Sequence, residues 1–436
     1  MKKSKARGVA ALVHDAVDLT LDLVDEGHES VARNVMRGLD LVGLGEPGRA
    51  VDAVRRAGTR GVLGTIRGVN QLARALTRAG LDPEIVLRLA PALASRGAEP
   101  VPLRSDLMRT SAVIGDAALG LLNGVLGDHL HREGSDLDLG LELRWGDAYL
   151  APGDGAKLPG RRLVVLVHGL GTTEWSWCLG AGDYHGDPAA TFGTLLERDL
   201  GFVAVYARYN TGRRIAENGA ALAAALDRLD AEHGGWDEIA LVGHSMGGLV
   251  VRSACAHASL EGHGWLARVR RVVALGSPHQ GAPLEKFGVL ATRLLGAIDL
   301  PGTLVPARIL ERRSAGIRDL REGTIADPSW LSRDPDAAAD PAALEVPLVA
   351  HVAYYFLSAT VTDDPTHPLG RLVGDLLVRV PSASGPRLAE SDFPIETRCF
   401  GGVLHHQLQC HPDVYAQVKK ALSEEPSPGA VRGSAP

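Results

Sequence analysis

Cysteine and long apolar runs are scarce in this chain of 436 residues, and it has no excess of positive charge. Its four cysteines form no CxxC pair and are too few for a disulfide framework, so we expect a reduced, cytoplasmic protein. No stretch reaches the roughly 20 uncharged apolar residues that a membrane-spanning helix needs. Acidic residues outnumber basic ones, and the net charge is −6. With no basic stripe to meet phosphates, nucleic acid is not an expected partner.

Two further absences concern bound groups. No Cys/His cluster has the spacing of metal ligands, so we expect no metal. No G-x-G-x-x-G run opens a helix, so we expect no nucleotide, and no other cofactor is indicated. Any chemistry that this protein performs is therefore expected to come from its own side chains.

Residues 1–130 are predicted to form a helical N-terminal region. Apolar residues recur there at steps of three and four, as on one face of a helix. The basic residues at the start are followed by a run that His14, Asp15 and Asp18 interrupt, which favours a helix over an export signal. We expect these helices to pack on the main domain. A transient contact with a membrane surface is the alternative role, which would make the protein peripheral to the membrane.

Residues 131–422 are predicted to form an α/β domain. Short apolar runs, such as 162–168 and 349–356, suit strands that are buried on both faces of a mostly parallel sheet. Helical segments such as 215–229 lie between several of these runs. Residues 284–345 interrupt the alternation and are predicted to form a cap or lid insertion. The tail, 423–436, is rich in Ser, Pro, Gly and Glu and is predicted to be disordered.

The strongest motif is Ile-Ala-Leu-Val-Gly-His-Ser-Met-Gly-Gly at 239–248. It combines an apolar strand, a G-x-S-x-G turn and a helix-like run, and this context predicts a nucleophile elbow with Ser245 at its tip. The helix that follows would direct free N–H groups and its positive dipole end at the site.

Backbone donors for an oxyanion are expected from two places. The apolar run 164–167 ends in His168 and Gly169, at the position where a loop N–H joins the N–H that follows the nucleophile. Leu170 and Met246 are therefore the predicted oxyanion-hole residues. His168 precedes Ser245 and is expected to be structural.

A serine hydroxyl needs a base, and the base needs an orienting carboxylate. In a chain of this pattern the acid and then the histidine follow the serine. His405 and His406 come after the last predicted strand, and both are candidates for the base. Asp375 is the preferred acid. Asp363 and Asp364 are the alternatives because they follow the same predicted strand more closely.

The chain resembles bacterial α/β-hydrolases of the lipase and esterase type, related to the GPI inositol-deacylase-like lipases. The resemblance covers roughly residues 115–420, and its specific segments are 122–129, 168–171, 208–219, 243–248, 275–283 and 313–323. It implies the α/β-hydrolase fold. It also implies an acid within a Gly-Asp-Gly-Leu-Val run, matched here by Gly374-Asp-Leu-Leu-Val, and a histidine seven residues before a proline. Counting back from Pro412 gives His405, and His406 remains the alternative.

The hypothesis from the sequence is a serine hydrolase that forms an acyl-enzyme on Ser245. The resemblance implies carboxylic esters, often lipid-like, as substrates. An acyltransferase with the same triad of Ser245, Asp375 and His405 is one alternative. A lipid-binding protein that has kept the fold without catalysis is the other.

Overall fold

The computed structural model describes residues 100–108, 110–132, 134–135, 137–281, 314–326, 348–367, 375, 378 and 395–424. The chain divides into two compact units, and nearly all described residues belong to the larger one, Arg96–Leu107, Asp116–Lys286 and Ser314–Pro436. Most of the predicted helical region, most of the predicted cap or lid and nearly all of the tail lie outside the described residues.

An eight-stranded sheet forms the centre of the described part. Its strands are β1 (Leu141–Trp145), β2 (Ala148–Tyr149), β3 (Arg162–Val167), β4 (Val203–Tyr209), β5 (Glu238–His244), β6 (Val269–Leu275), β7 (Ala353–Thr360) and β8 (Ile395–Gly401). Their order is β2-β1-β4-β3-β5-β6-β7-β8. β1 is antiparallel to β2 and to β4, and every other neighbouring pair is parallel. The predicted α/β architecture with a mostly parallel sheet is confirmed.

The central strands are apolar because helices cover both faces of the sheet. The side chains of β3 from Leu163 to Val167 are at most 1% exposed. In register, Val165 of β3 lies between Val205 of β4 and Leu241 of β5. Burying such side chains contributes about 1.5–3 kcal/mol each relative to exposure, so these strands anchor the fold.

Seven α-helices lie in the described ranges. They are α1 (Ser111–Arg132), α2 (Ala181–His185), α3 (Phe192–Leu200), α4 (Ile215–His233), α5 (Met246–Glu261), α6 (Ala315–Glu322) and α7 (Pro412–Ser423). Thr191 begins α3 with a capping box, and Gly201 ends it in a left-handed conformation. No helix in this part of the chain is long and apolar enough to cross a membrane.

The predicted strand at 349–356 begins later than expected. Residues 349–352 form a turn, in which the N–H of Val352 donates to the carbonyl of Val349, and β7 begins at Ala353. The N–H of Val349 donates to the hydroxyl of Tyr354 and not to a neighbouring strand. The residues before Ala353 therefore lead into β7 without pairing in the sheet.

The parallel strands place six loops at one edge of the sheet. Because the strands from β3 to β8 all run in the same direction, the residues that follow them meet at their carboxyl ends. Ligands bind at this edge in open α/β sheets. Ser245 directly follows β5, and His405 follows β8 by a short turn.

Candidate active site

Ser245 occupies a strained turn between β5 and α5. Its backbone has φ 55° and ψ −122°, and it is the only non-glycine residue with positive φ in the described ranges. Such a conformation costs about 1–3 kcal/mol and persists only where the surroundings enforce it. The N–H of Ser245 donates to the carbonyl of Leu275 at 2.8 Å, and its own carbonyl accepts the N–H of Gly248 at 3.2 Å. These bonds hold the turn, which lies where the sequence predicted an elbow.

The two glycines of the motif are required by close backbone approach. A Cβ at Gly243 would lie 2.4 Å from the nitrogen of Gly248, and a Cβ at Gly247 would lie 2.2 Å from the carbonyl oxygen of Val167. Both distances are shorter than any real carbon contact. The G-x-S-x-G spacing therefore lets α5 begin directly against β3 and β5.

Asp375 and His405 form a buried pair. Nδ1 of His405 lies 2.7 Å from Oδ2 of Asp375, and the two side chains are 2% and 1% exposed. The other carboxylate oxygen accepts the N–H of Val378 at 2.9 Å. Since the carboxylate accepts, Nδ1 carries the proton and Nε2 carries a lone pair. Within the described residues, Nε2 of His405 is buried without a hydrogen-bond partner.

The imidazole of His405 lies beside the elbow. It packs on Gly276, where a Cβ would be 3.0 Å from its Cε1, and Gly276 follows the residue that accepts the N–H of Ser245. The rings of His405 and His244 are 4.8 Å apart between centroids. The hydroxyl of Ser245 does not donate to Nε2 of His405 in this structure. Catalytic hydrogen bonds are often long without substrate and shorten in the substrate complex.

The loop after β3 packs against the serine. A Cβ at Gly169 would lie 3.1 Å from Cβ of Ser245. The hydroxyl of Thr172 donates to the carbonyl of Gly169 at 2.9 Å, and the N–H of Gly171 donates to the hydroxyl of Thr211 at 3.1 Å. These bonds fix the loop that carries Leu170.

Leu170 and Met246, the predicted oxyanion-hole residues, flank Ser245. Met246 is the first residue of α5, so its N–H has no acceptor within the helix. Neither N–H donates a hydrogen bond within the described part of the chain. The assignment of these two N–H groups to an oxyanion hole stays a prediction.

His168, predicted to be structural, lies under the same loop. Its ring stacks on Tyr209 with centroids 4.5 Å apart, and the hydroxyl of Tyr209 donates to the carbonyl of His168 at 2.8 Å. Burial lowers the pKa of His168 to about 4, so the imidazole is neutral near pH 7.

A buried network of charged side chains includes Glu174, the residue that directly follows this loop. No sequence motif predicted this network. Its members are Asp116, Arg144, Tyr149, Glu174 and Arg208. Glu174 is fully buried and accepts hydrogen bonds from Arg208 and Tyr149. Burial alone would raise the pKa of Glu174, but Arg208 and Arg144 outweigh it and lower the pKa to about 2. The one feature of the sequence that could have indicated the network is the charged residue Glu174, directly after the proposed oxyanion loop.

The alternative candidates for the acid and the base are more exposed to solvent than Asp375 and His405. Asp363 and Asp364 are exposed, and the carboxylate of Asp364 accepts hydrogen bonds from Thr366. His406 is partly exposed, whereas His405 holds Asp375. The structure therefore brings Asp375 and His405 together beside Ser245. In the described ranges, no group of His, Cys, Asp and Glu is placed to hold a metal ion.

No curated protein matches this chain. A protein family described as a domain of unknown function (DUF7379) matches residues 143–297, less than half of the chain. Three solved structures give the following likenesses.

The Bacillus licheniformis lipase BlEst2 in its propeptide form is 20% identical over 61% of this chain, with a TM-score of 0.40. This chain spans only 50% of that protein's length. The mature form is 19% identical, over 64% of this chain and 97% of that one, with a TM-score of 0.38. A Pyrobaculum calidifontis esterase is 17% identical, over 78% of this chain and 98% of that one, with a TM-score of 0.37.

At these identities and TM-scores the likenesses indicate nothing about activity, and the fold is assigned from this chain alone. The sheet is mostly parallel, a strained serine follows β5, and a hydrogen-bonded pair, Asp375 and His405, comes later in the chain. This chain has the α/β-hydrolase fold.

Proposed function

We propose that this protein is a serine hydrolase that cleaves carboxylic esters through an acyl-enzyme on Ser245. One observation supports this most directly. A buried Asp375–His405 pair, with its outer imidazole nitrogen unpartnered within the described residues, lies beside a serine held in a strained turn. Structural serines do not need such strain, whereas a nucleophile elbow does.

In the proposed first step, Oγ of Ser245 attacks the ester carbonyl carbon while Nε2 of His405 takes the hydroxyl proton. The N–H groups of Leu170 and Met246 bind the negative oxygen of the tetrahedral intermediate. Each such donor is worth about 2.7–4 kcal/mol in the transition state. The carbon–oxygen bond of the ester then breaks, and the departing alcohol receives the proton from His405.

In the second step, His405 removes a proton from water, and the hydroxide attacks the acyl-enzyme. The acid is released, and Oγ of Ser245 regains its proton from His405. Asp375 holds the imidazole in one tautomer and stabilises the imidazolium in both steps.

Lipid-like esters are the proposed substrates, following the resemblance to GPI inositol-deacylase-like lipases. That resemblance, a cytoplasmic location and a transient contact with a membrane surface remain predictions. An acyl-length series of esters, assayed below and above the critical micelle concentration, tests the substrate class. Higher rates on long chains, with a further rise above that concentration, are expected of a lipid-directed enzyme.

Hydrolysis of p-nitrophenyl esters by the wild type, Ser245→Ala and Ser253→Ala tests the reaction. Ser253 is a matched control because it is a buried serine on α5, the helix that follows the elbow. We expect Ser245→Ala to lose turnover and labelling by a fluorophosphonate probe, and Ser253→Ala to keep both. Equal turnover by the wild type and Ser245→Ala would contradict the proposal.

Two outcomes would support a different function for this protein. If an added acceptor alcohol captures the acyl group in water in preference to hydrolysis, the protein is an acyltransferase with the same triad. If the wild type neither turns over an ester nor reacts with the fluorophosphonate, this result favours a protein that has kept the fold without catalysis, and binding to lipid vesicles would then test the lipid-binding alternative.

A further inference from the structure

His244, the residue before the serine, contacts the residue that carries the proposed base. Its Nε2 atom lies 3.0 Å from the backbone carbonyl oxygen of His405, 161 positions later in the chain. A carbonyl oxygen can only accept, so Nε2 of His244 must carry the proton. The contact is therefore a hydrogen bond from the side chain of the elbow to the backbone of the loop after β8.

The ring of His244 also faces the oxyanion side of the site. A Cβ at Gly169 would lie 3.2 Å from its Nδ1 atom. His244 is 4% exposed and lies between the loop that carries Leu170 and the loop that carries His405. A residue in this place fixes the distance between two parts of the site that come from separate strands.

We propose that His244 is a positioning residue, whose hydrogen bond to the carbonyl of His405 sets where the imidazole of His405 stands relative to Ser245. The inference rests on the proposed function and adds a role for the variable position of the G-x-S-x-G motif. His244 does not exchange a proton with the substrate.

Electrostatics agree with this role. Burial, and then the nearby imidazoles of His405, His406 and His168, lower the pKa of His244 well below its ordinary value. The ring is therefore neutral near pH 7. A neutral neighbour does not repel the imidazolium that forms on His405 during the reaction, whereas a charged one at 4.8 Å between ring centroids would.

Two substitutions separate the hydrogen bond from the volume of the ring. His244→Leu fills space without a donor, and His244→Gln keeps an N–H donor on a side chain of similar reach. His351→Leu is a matched control, because Nε2 of His351 also donates to a backbone carbonyl, that of Leu266, at 3.0 Å. His351 precedes β7, at the opposite end of the sheet from Ser245.

On a short p-nitrophenyl ester we expect His244→Leu to lower kcat about 10- to 100-fold, since a displacement near 1 Å has effects of this size. KM should stay within about threefold, because the substrate contacts are retained. His244→Gln should recover most of the lost kcat, and His351→Leu should match the wild type. Wild-type kcat in a folded His244→Leu protein, or a His244→Gln variant as slow as His244→Leu, would overturn the proposal.

A second readout needs no activity. In protein labelled with 15N-histidine, the imidazole shifts of His244 should report the neutral Nε2–H tautomer at pH 7. The His405 signals should move in His244→Leu and stay near their wild-type positions in His244→Gln. A protonated or Nδ1–H ring at His244 in the wild type, unchanged His405 signals in a folded His244→Leu protein, or equally displaced signals in His244→Gln would overturn the inference. Absence of ester hydrolysis by the wild type would instead count against the proposed function, and the shifts would still decide the positioning role.

Discussion

Two hydrogen bonds, of 2.7 and 3.0 Å, join the guanidinium of Arg208 to the carboxylate of Glu174 in the interior of the protein. The same guanidinium donates to Asp116 at 2.6 Å. One cation thus holds two buried carboxylates, and Glu174 directly follows the loop that packs against Ser245. We therefore expect these buried charges to stabilise the proposed oxyanion loop.

We predict that Arg208→Leu lowers the free energy of unfolding by about 3–5 kcal/mol, because it removes the cation that two buried carboxylates share. Arg161→Ala is the control. Arg161 pairs with Asp237 through side chains that are 60% and 61% exposed, so its loss should cost less than about 1 kcal/mol. Urea unfolding followed by circular dichroism measures both. Similar losses in the two variants would show that burial of the Arg208 network adds nothing to the free energy of unfolding.

The hydroxyl of Thr211 accepts the N–H of Gly171, next to the proposed donor Leu170. Thr211→Val keeps the shape but leaves this N–H unsatisfied, so we expect the loop to shift and kcat to fall about 10-fold with little change in KM. Ester kinetics measure the change. Thr366→Val alters an exposed threonine and should have no effect. Equal kcat in all three proteins would mean that Thr211 does not position the loop.

Asp375→Asn tests the proposed acid. An amide at this place can hold the imidazole in the wrong tautomer, so we expect kcat to fall about 10³- to 10⁴-fold. Asp364→Asn changes an exposed carboxylate and should keep wild-type kcat. If Asp364→Asn shows the large loss and Asp375→Asn does not, the acid has been assigned wrongly.

Three buried histidines predict how stability depends on pH. Burial lowers the pKa of His168 to about 4 and the pKa of His244 and His279 well below their ordinary value. In the unfolded chain these groups titrate at about 6.5, so the unfolded state binds more protons in a pH window that begins below about 6.5 and, for His168, extends down to about 4. The free energy of unfolding should therefore fall as the pH falls through this window, by about 1.4 kcal/mol per pH unit for each histidine.

Urea unfolding at pH 7, 6 and 5 measures this slope. His279→Gln, which retains an acceptor for Arg252, should reduce the slope by one histidine's share. His367→Gln removes an exposed histidine and should leave it unchanged. Identical slopes in the wild type and His279→Gln would contradict the burial argument.

The local sequence pattern was enough to predict the turn at Ser245 and the mostly parallel sheet. The apolar run before Ser245, the two glycines around it and the helix-like run behind it lie within ten consecutive residues. The close approach at Gly243 is local, to Gly248, whereas the one at Gly247 is to Val167 on β3 and arises only in the folded sheet. The alternation of apolar strands with helices likewise indicated a parallel sheet, because strands buried on both faces must be apolar throughout.

Pairing across long sequence distances was decided only by tertiary structure. Asp375, Asp363 and Asp364 all follow β7, and the family resemblance of the run around Asp375 favoured that residue without showing which carboxylate reaches the imidazole of His405. The hydrogen bond from His244 to the carbonyl of His405, and the group around Arg208, have no periodic signature. A packed interior brings such groups together because each buried polar atom needs a partner, and chain folding alone determines which partner is within reach.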